Sequence, residues 1–241
     1  MVRMAQEISP LLLIYCYCIC FFPNFYVALV QVSSNNAKSP ASCEWGLEGS
    51  NIYVNAGAGT DIVSSGFSPL EPYQTIDYAV KQAGPCQTIH VMAGIYQNKN
   101  FGTGNENNDA VINMEGVSDL IIKNYMSDKP VVEFDGKGGF IGGSISNPVI
   151  NVEISGIEII GPNGSILWEQ AMANRLAENK SYYGGRGIAI WKGNNINIHN
   201  MVVHHCPASA IRVNRGDYVT IHNNTVYSNT WWSRSESFNR S

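Results

Sequence analysis

Charged residues are scarce in this chain. Asp, Glu, Lys and Arg make up 14% of its 241 residues, where about a quarter is usual in a soluble domain. The formal net charge is −4, so the chain lacks the basic excess on which nucleic-acid binding draws. No C-x-x-C pair occurs, which removes the common spacings of a structural zinc site. Asn, Gly, Ser and Thr fill the place of the missing charge. Such residues suit short strands joined by tight turns better than they suit helices.

The long uncharged apolar run lies at the start. Arg3 precedes Leu11-Leu12-Leu13-Ile14-Tyr15-Cys16-Tyr17-Cys18-Ile19-Cys20-Phe21-Phe22, and Pro23-Asn24 breaks it. Residues 1–34 are expected to be a secretory signal, with small residues at Val32-Ser33-Ser34 for cleavage. A retained membrane anchor is the alternative, because Leu11 to Val30 approaches spanning length. Residues 35–50 read as a polar linker and 51–241 as the folded domain. Loss of the signal leaves Cys43, Cys86 and Cys206. Cys43 and Cys86 both flank the start of the folded domain and are the expected disulfide, with Cys206 alone; three buried thiols are the alternative. Glycosylation sequons begin at Asn163, Asn179, Asn223 and Asn239, in keeping with an extracellular glycoprotein.

Order begins at Asn51-Ile52-Tyr53-Val54. Between Pro72 and Ala83, Ile76, Ala79, Val80 and Ala83 recur at helical spacing, and Gly84-Pro85 stops the pattern. A strand, Thr88-Ile89-His90-Val91, follows. Further on, the chain repeats itself at a spacing of 23 residues: Ile188 meets Ile211, Gly193 meets Gly216, Ile196 meets Val219, Ile198 meets Ile221, His199 meets His222 and Val203 meets Val226. Ile154-Ser155-Gly156 and Ile122-Lys123-Asn124 fit the same grammar. A period in the twenties with alternating apolar residues predicts an all-β solenoid, whose coils bury their apolar rows only by stacking. Asn124, Gly156, Asn200 and Asn223 close successive second strands, where a left-handed turn and a stacked polar ladder are expected.

The opening Ile52-Tyr53-Val54, Pro72-Tyr73-Gln74-Thr75-Ile76 with Ala79-Val80, Ile89-His90-Val91 and Gly94-Ile95-Tyr96 resembles that of family-nine polysaccharide lyases. The later coils, with Asp217-Tyr218-Val219-Thr220-Ile221 and Asn223-Asn224-Thr225-Val226-Tyr227, resemble other right-handed parallel β-helix proteins of the pectin-lyase-like superfamily. The resemblance covers about residues 51–232. It implies a right-handed parallel β-helix with an N-terminal capping helix, and work on polysaccharide at an outer sheet. The fold also carries hydrolases and inert adhesins. The clean repeat runs almost to Ser241, and Ser233 to Ser241 holds one large apolar residue, Phe238. The solenoid is therefore expected to be incomplete at its C-terminal end and to self-associate through its last coil.

Alternation also suggests where chemistry sits. If Ile112/Met114, Val132/Phe134, Ile188/Ile190 and Ile211/Val213 face inward, two outward columns result: Asn113, Glu133, Ala189, Arg212 and Glu115, Asp135, Trp191, Asn214. Glu115, Glu133 and Asp135 would then cluster, and Ca²⁺ is the natural guest of an oxygen cluster outside the cell. Trp191 suits stacking on a pyranose and Asn214 lies beside it, both as substrate-binding candidates. Arg212 suits a sugar carboxylate, and Arg212 and Lys192 are the candidate catalytic bases. In the lyase that the resemblance implies, Ca²⁺ bridges a substrate carboxylate and a basic side chain removes the α-proton. A hydrolase using Glu133 and Asp135 is the enzymatic alternative, and a non-catalytic glycan-binding or adhesion protein is the other. The insertion Gly161 to Arg186, helical in pattern from Ile166 to Ala177, is expected to wall one end of the cleft. His204-His205 read as one histidine at the core edge and one at the surface, since consecutive strand residues point opposite ways.

Overall fold

The structure is a computed structural model that describes residues 51–101, 109–162 and 185–229, together with the backbone of Ala28–Leu29 and Val32–Ser33. The expected segments at 1–27, 163–184 and 230–241, with Cys43, Trp231 and Trp232, lie outside the described residues. Three parallel sheets wind around one apolar core and form a parallel β-helix.

The amino-terminal strands are β1 (Ala28–Leu29) and β2 (Val32–Ser33). The first coil holds β3 (Asn51–Val54) and α1 (Ile76–Gln82), the second β4 (Gln87–Val91), β5 (Gly94–Gln97) and β6 (Ile112–Asn113). The third has β7 (Ser118–Asn124), β8 (Pro130–Glu133) and β9 (Gly138–Gly142), and the fourth β10 (Val149–Ser155), β11 (Glu158–Ile160) and β12 (Arg186–Ile190). The fifth has β13 (Gly193–His199), β14 (Val202–His204) and β15 (Ile211–Val213), and the last β16 (Gly216–His222) and β17 (Thr225–Tyr227). The first sheet runs β3-β4-β7-β10-β13-β16, the second β5-β8-β11-β14-β17 and the third β6-β9-β12-β15.

The 23-residue spacing is the stacking register. Ile188 pairs with Ile211, Ile198 with Ile221 and Val203 with Val226. Ile122, Ile154 and Ile198 are fully buried in one row, as are Ile159 and Val203 in another. No coil buries these side chains by itself, so each row is stabilised by the coils on either side. Helix α1 is shorter than its pattern. Thr75 caps it, its hydroxyl accepting from the Tyr78 N–H, and Ile76, Ala79 and Val80 are its buried face. Cys86 is disulfide-bonded and Cys206 is free and buried; the expected partner, Cys43, is outside the described residues.

The register corrects one alignment. Val132 does not share a row with Ile188. It stacks between Tyr96 and Ile159 in the second sheet, and Phe140 takes the place below Ile188 in the third. Val-Glu-Phe and Gly-Gly-Phe-Ile-Gly both alternate, and alternation alone does not say to which sheet a strand belongs.

The main polar ladder also differs in place. Gly156, Asn200 and Asn223 do adopt the left-handed turn. The bonded ladder lies earlier in the coil, at a left-handed residue near the start of each first-sheet strand: Asp119, Asn151 and Asn195, with φ of 54°, 54° and 55°. The Asn195 amide donates to Asn151 Oδ1 at 3.1 Å, and the Asn151 amide donates to Asp119 Oδ1 at 2.8 Å. Asn tolerates this backbone and its amide both donates and accepts, so the column bonds along the solenoid axis.

The last coil is not bare. β1 pairs antiparallel with β17 and β2 with β16, so strands from the segment expected as a signal cover the final edge of two sheets. β15 ends the third sheet.

Candidate functional site

In the third sheet Asn113, Ile141, Ala189 and Arg212 stack in one column, in which Ala189 is fully buried and Arg212 exposed. Ile141 stands where Glu133 was expected. Trp191 follows β12, its N–H donating to the Gly142 carbonyl at 2.9 Å. Ile188 and Ile190 are fully buried, so Trp191, next in alternation, faces out and is 39% exposed.

Trp191 sits between two arginines. The Arg186 guanidinium carbon is 5.2 Å from its ring centroid and that of Arg212 is 5.5 Å away, both within cation–π reach. Arg212 is exposed, and its Nε donates to Asn214 Oδ1 at 3.0 Å, which fixes the direction of the fork. Arg186 is half-buried. Burial, and then the charge of Arg212, pull its pKa below the ordinary guanidinium value. An arginine does not lose its proton in a protein, so both guanidiniums stay charged beside one ring.

Arg186 escaped the reading of the sequence. Counted back from Ile188 it should face inward. Instead Gly187 faces the interior, where an added Cβ would lie 2.6 Å from Val203 Cγ1 and 3.3 Å from Cys206 Sγ. Arg186 lies on the Trp191 side although β12 stays in register with β9 through Gly187. A glycine second in the strand is the visible signal.

Arg212, Asn214 and Trp191 are brought together as expected. Lys192, adjacent in sequence, reaches the next coil and pairs with Asp217 at 3.2 Å. The acidic trio is not assembled. Glu115 follows β6, and its carboxylate accepts the Ser144 N–H at 3.1 Å. Glu133 lies in the second sheet and accepts from the Gln97 amide at 2.7 Å. Asp135 is in the turn after it, its N–H donating to Asn98 Oδ1. Glu115 and Glu133 thus belong to different sheets, and among the described residues no group of three His, Cys, Asp or Glu is placed to hold a metal ion. These residues do not fit a shared Ca²⁺.

A family model for the right-handed β-helix region matches residues 138–233. That span covers β9 to β17 and contains Arg186, Trp191, Arg212 and Asn214. The chain has the fold of a right-handed parallel β-helix. No curated protein and no solved structure matches it.

Proposed function

We propose that this β-helix protein binds an acidic polysaccharide on the outer face of its third sheet. Trp191 stacks on a sugar ring, and Arg186 and Arg212 each take a uronate carboxylate or share one, with Asn214 orienting Arg212. The observation that carries the reading is the pair of guanidiniums held against one exposed indole. A uronate offers both a ring face to the indole and a carboxylate to a guanidinium, and a neutral sugar offers only the first. A disulfide at Cys86 suits an extracellular setting for such a ligand, as does the exposed sequon asparagine Asn223.

The likeness to pectin-lyase-like proteins extends the reading to β-elimination. Guanidiniums against a uronate carboxylate would make its α-proton more acidic. Arg212 is a permanent cation and is assigned to binding, Lys192 is engaged by Asp217, and the capture of glycan is the reading the geometry supports best.

Affinity gel electrophoresis or calorimetry on polygalacturonate, alginate and neutral dextran tests it, with ultraviolet detection of unsaturated uronate in the same samples. Binding to the uronate polymers and not to dextran is expected, independent of Ca²⁺. Equal binding to dextran would remove the reading, and unsaturated product would move it from capture to cleavage.

A further inference from the structure

A second arrangement lies at the corner between the second and third sheets. His204 ends β14. Val203 before it points into the core, so His204 points out, yet it is 94% buried because Tyr227 of the next coil covers it, ring on ring at 4.7 Å and 11°. Its Nε2 is 2.9 Å from Glu158 Oε1 on the preceding coil. Its Nδ1 meets His205 Nδ1.

Consecutive strand residues should not meet in this way. His205 adopts φ 57°, and the left-handed backbone turns its ring back onto its neighbour, edge to face at 4.8 Å. Such backbone is costly for a residue with a Cβ and clusters where geometry serves a purpose. Ser228 repeats the turn one coil later without an imidazole.

With both imidazoles neutral, the hydrogen bonds admit one order of protons. The Glu158 carboxylate accepts, so His204 carries its proton on Nε2. Its Nδ1 is then a lone pair, which accepts from His205 Nδ1–H. That leaves the Nε2 of His205 as a lone pair as well, and among the described residues no hydrogen bond reaches it. The reverse order would set a bare His204 Nε2 against a carboxylate.

We propose that Glu158, His204 and His205 form a proton relay whose outer end, His205 Nε2, is an acid–base site for a hydroxyl-bearing ligand, separate from the Trp191 site. His205 Nε2 takes the hydroxyl proton. His205 Nδ1–H passes to His204 Nδ1. One proton is gained and none is lost, and the positive charge comes to rest on His204 beside the Glu158 carboxylate, which stabilises it. Burial lowers the His205 pKa, and so does charge on His204, so a proton that has passed to His204 is not joined by a second one on His205. Among the described residues, Glu158 and Tyr227 are the ionisable groups that face the pair; nearby Cys206 is buried, and burial pushes its thiol up and out of play.

Long-range proton–nitrogen NMR on the full chain at neutral pH reads the relay directly. His204 should be the Nε2–H tautomer and His205 the Nδ1–H tautomer. Diethyl pyrocarbonate, followed by peptide mapping, supplies the second measurement. Carbonate transfer to His205 should fall by roughly tenfold in Glu158→Gln, the worth of one charge-assisted hydrogen bond. An Nε2–H tautomer at His205, or an unchanged rate in Glu158→Gln, would overturn the relay. The tautomer measurement needs no variant and stands even if Glu158→Gln folds poorly.

Discussion

The first and third sheets carry their polar residues in opposite ways. On the first, Asp119, Asn151 and Asn195 satisfy one another, each amide donating to the oxygen one coil down. On the third, Arg186 and Arg212 present like charges to one indole. The first arrangement is closed by its own members, so its chemistry is used up in holding coils together. The second sets two like charges beside one exposed ring. A polar column whose members bond to one another holds coils together, and one that gathers like charge on an aromatic face suits a ligand of opposite charge.

The sharpest separation of the two is Asn151→Val. It removes both ladder bonds and puts a β-branched residue at φ 54°, for an expected loss of about 2–4 kcal/mol from strain and unmade hydrogen bonds. Urea unfolding should show that loss, while the folded fraction keeps its uronate affinity. If stability is unchanged, the ladder is ornament.

Arg186→Gln and Arg212→Gln should do the converse. Each is expected to weaken polygalacturonate binding by roughly 10–100-fold, the range of a charged hydrogen bond, with the unfolding midpoint held. Loss of stability without loss of affinity in Arg186→Gln would place that residue with the ladder instead.

A smaller effect belongs to the first sheet. The hydrogen bond from His199 is the largest influence holding the Glu153 carboxyl below its usual value. A lowered folded-state pKa gives stability that is complete above the ordinary carboxylate range and is lost as pH falls through the lowered value. Glu153→Gln should therefore be less stable than wild type at neutral pH by under about 1 kcal/mol, the pair being partly exposed. The gap should close on acidification, as followed by thermal melts across pH. A gap independent of pH would mean that the carboxylate contributes nothing through ionisation. Least of all, Lys192→Gln breaks an exposed pair with Asp217, and about 0.5 kcal/mol or less is expected in the same melts.

What could be read ahead of the structure followed from repetition. Ile188 over Ile211 and His199 over His222 were visible because both coils keep the same length and the same in-out order. The alignment failed at Val132, where two neighbouring segments alternate equally well and only stacking decides between them. It missed Arg186 because the inward step at Gly187 reverses the count. The His204–His205 contact was hidden for a related reason: a left-handed residue cancels the alternation from which side-chain directions were inferred. Trp191, Arg212 and Asn214 were legible because no such irregularity separates them from their apolar neighbours. The failures at Arg186 and at His204–His205 sit where the in-out alternation breaks, and both carry the groups with chemical interest.

The pairing of β1 with β17 and of β2 with β16 has a consequence for how the molecule is made. These partners stand almost a chain length apart, so the contact is among the most distant the chain could form. Loop closure over such a length costs only modestly more than over a short one, but it comes late. During synthesis the amino-terminal strands emerge first and wait until the final coil exists. Each coil laid down meanwhile offers a fresh open edge to whatever strand is near. The chain thus makes β1 and β2 long before the edges they pair with, and the interval between the two is when a second nascent copy is best placed to intrude.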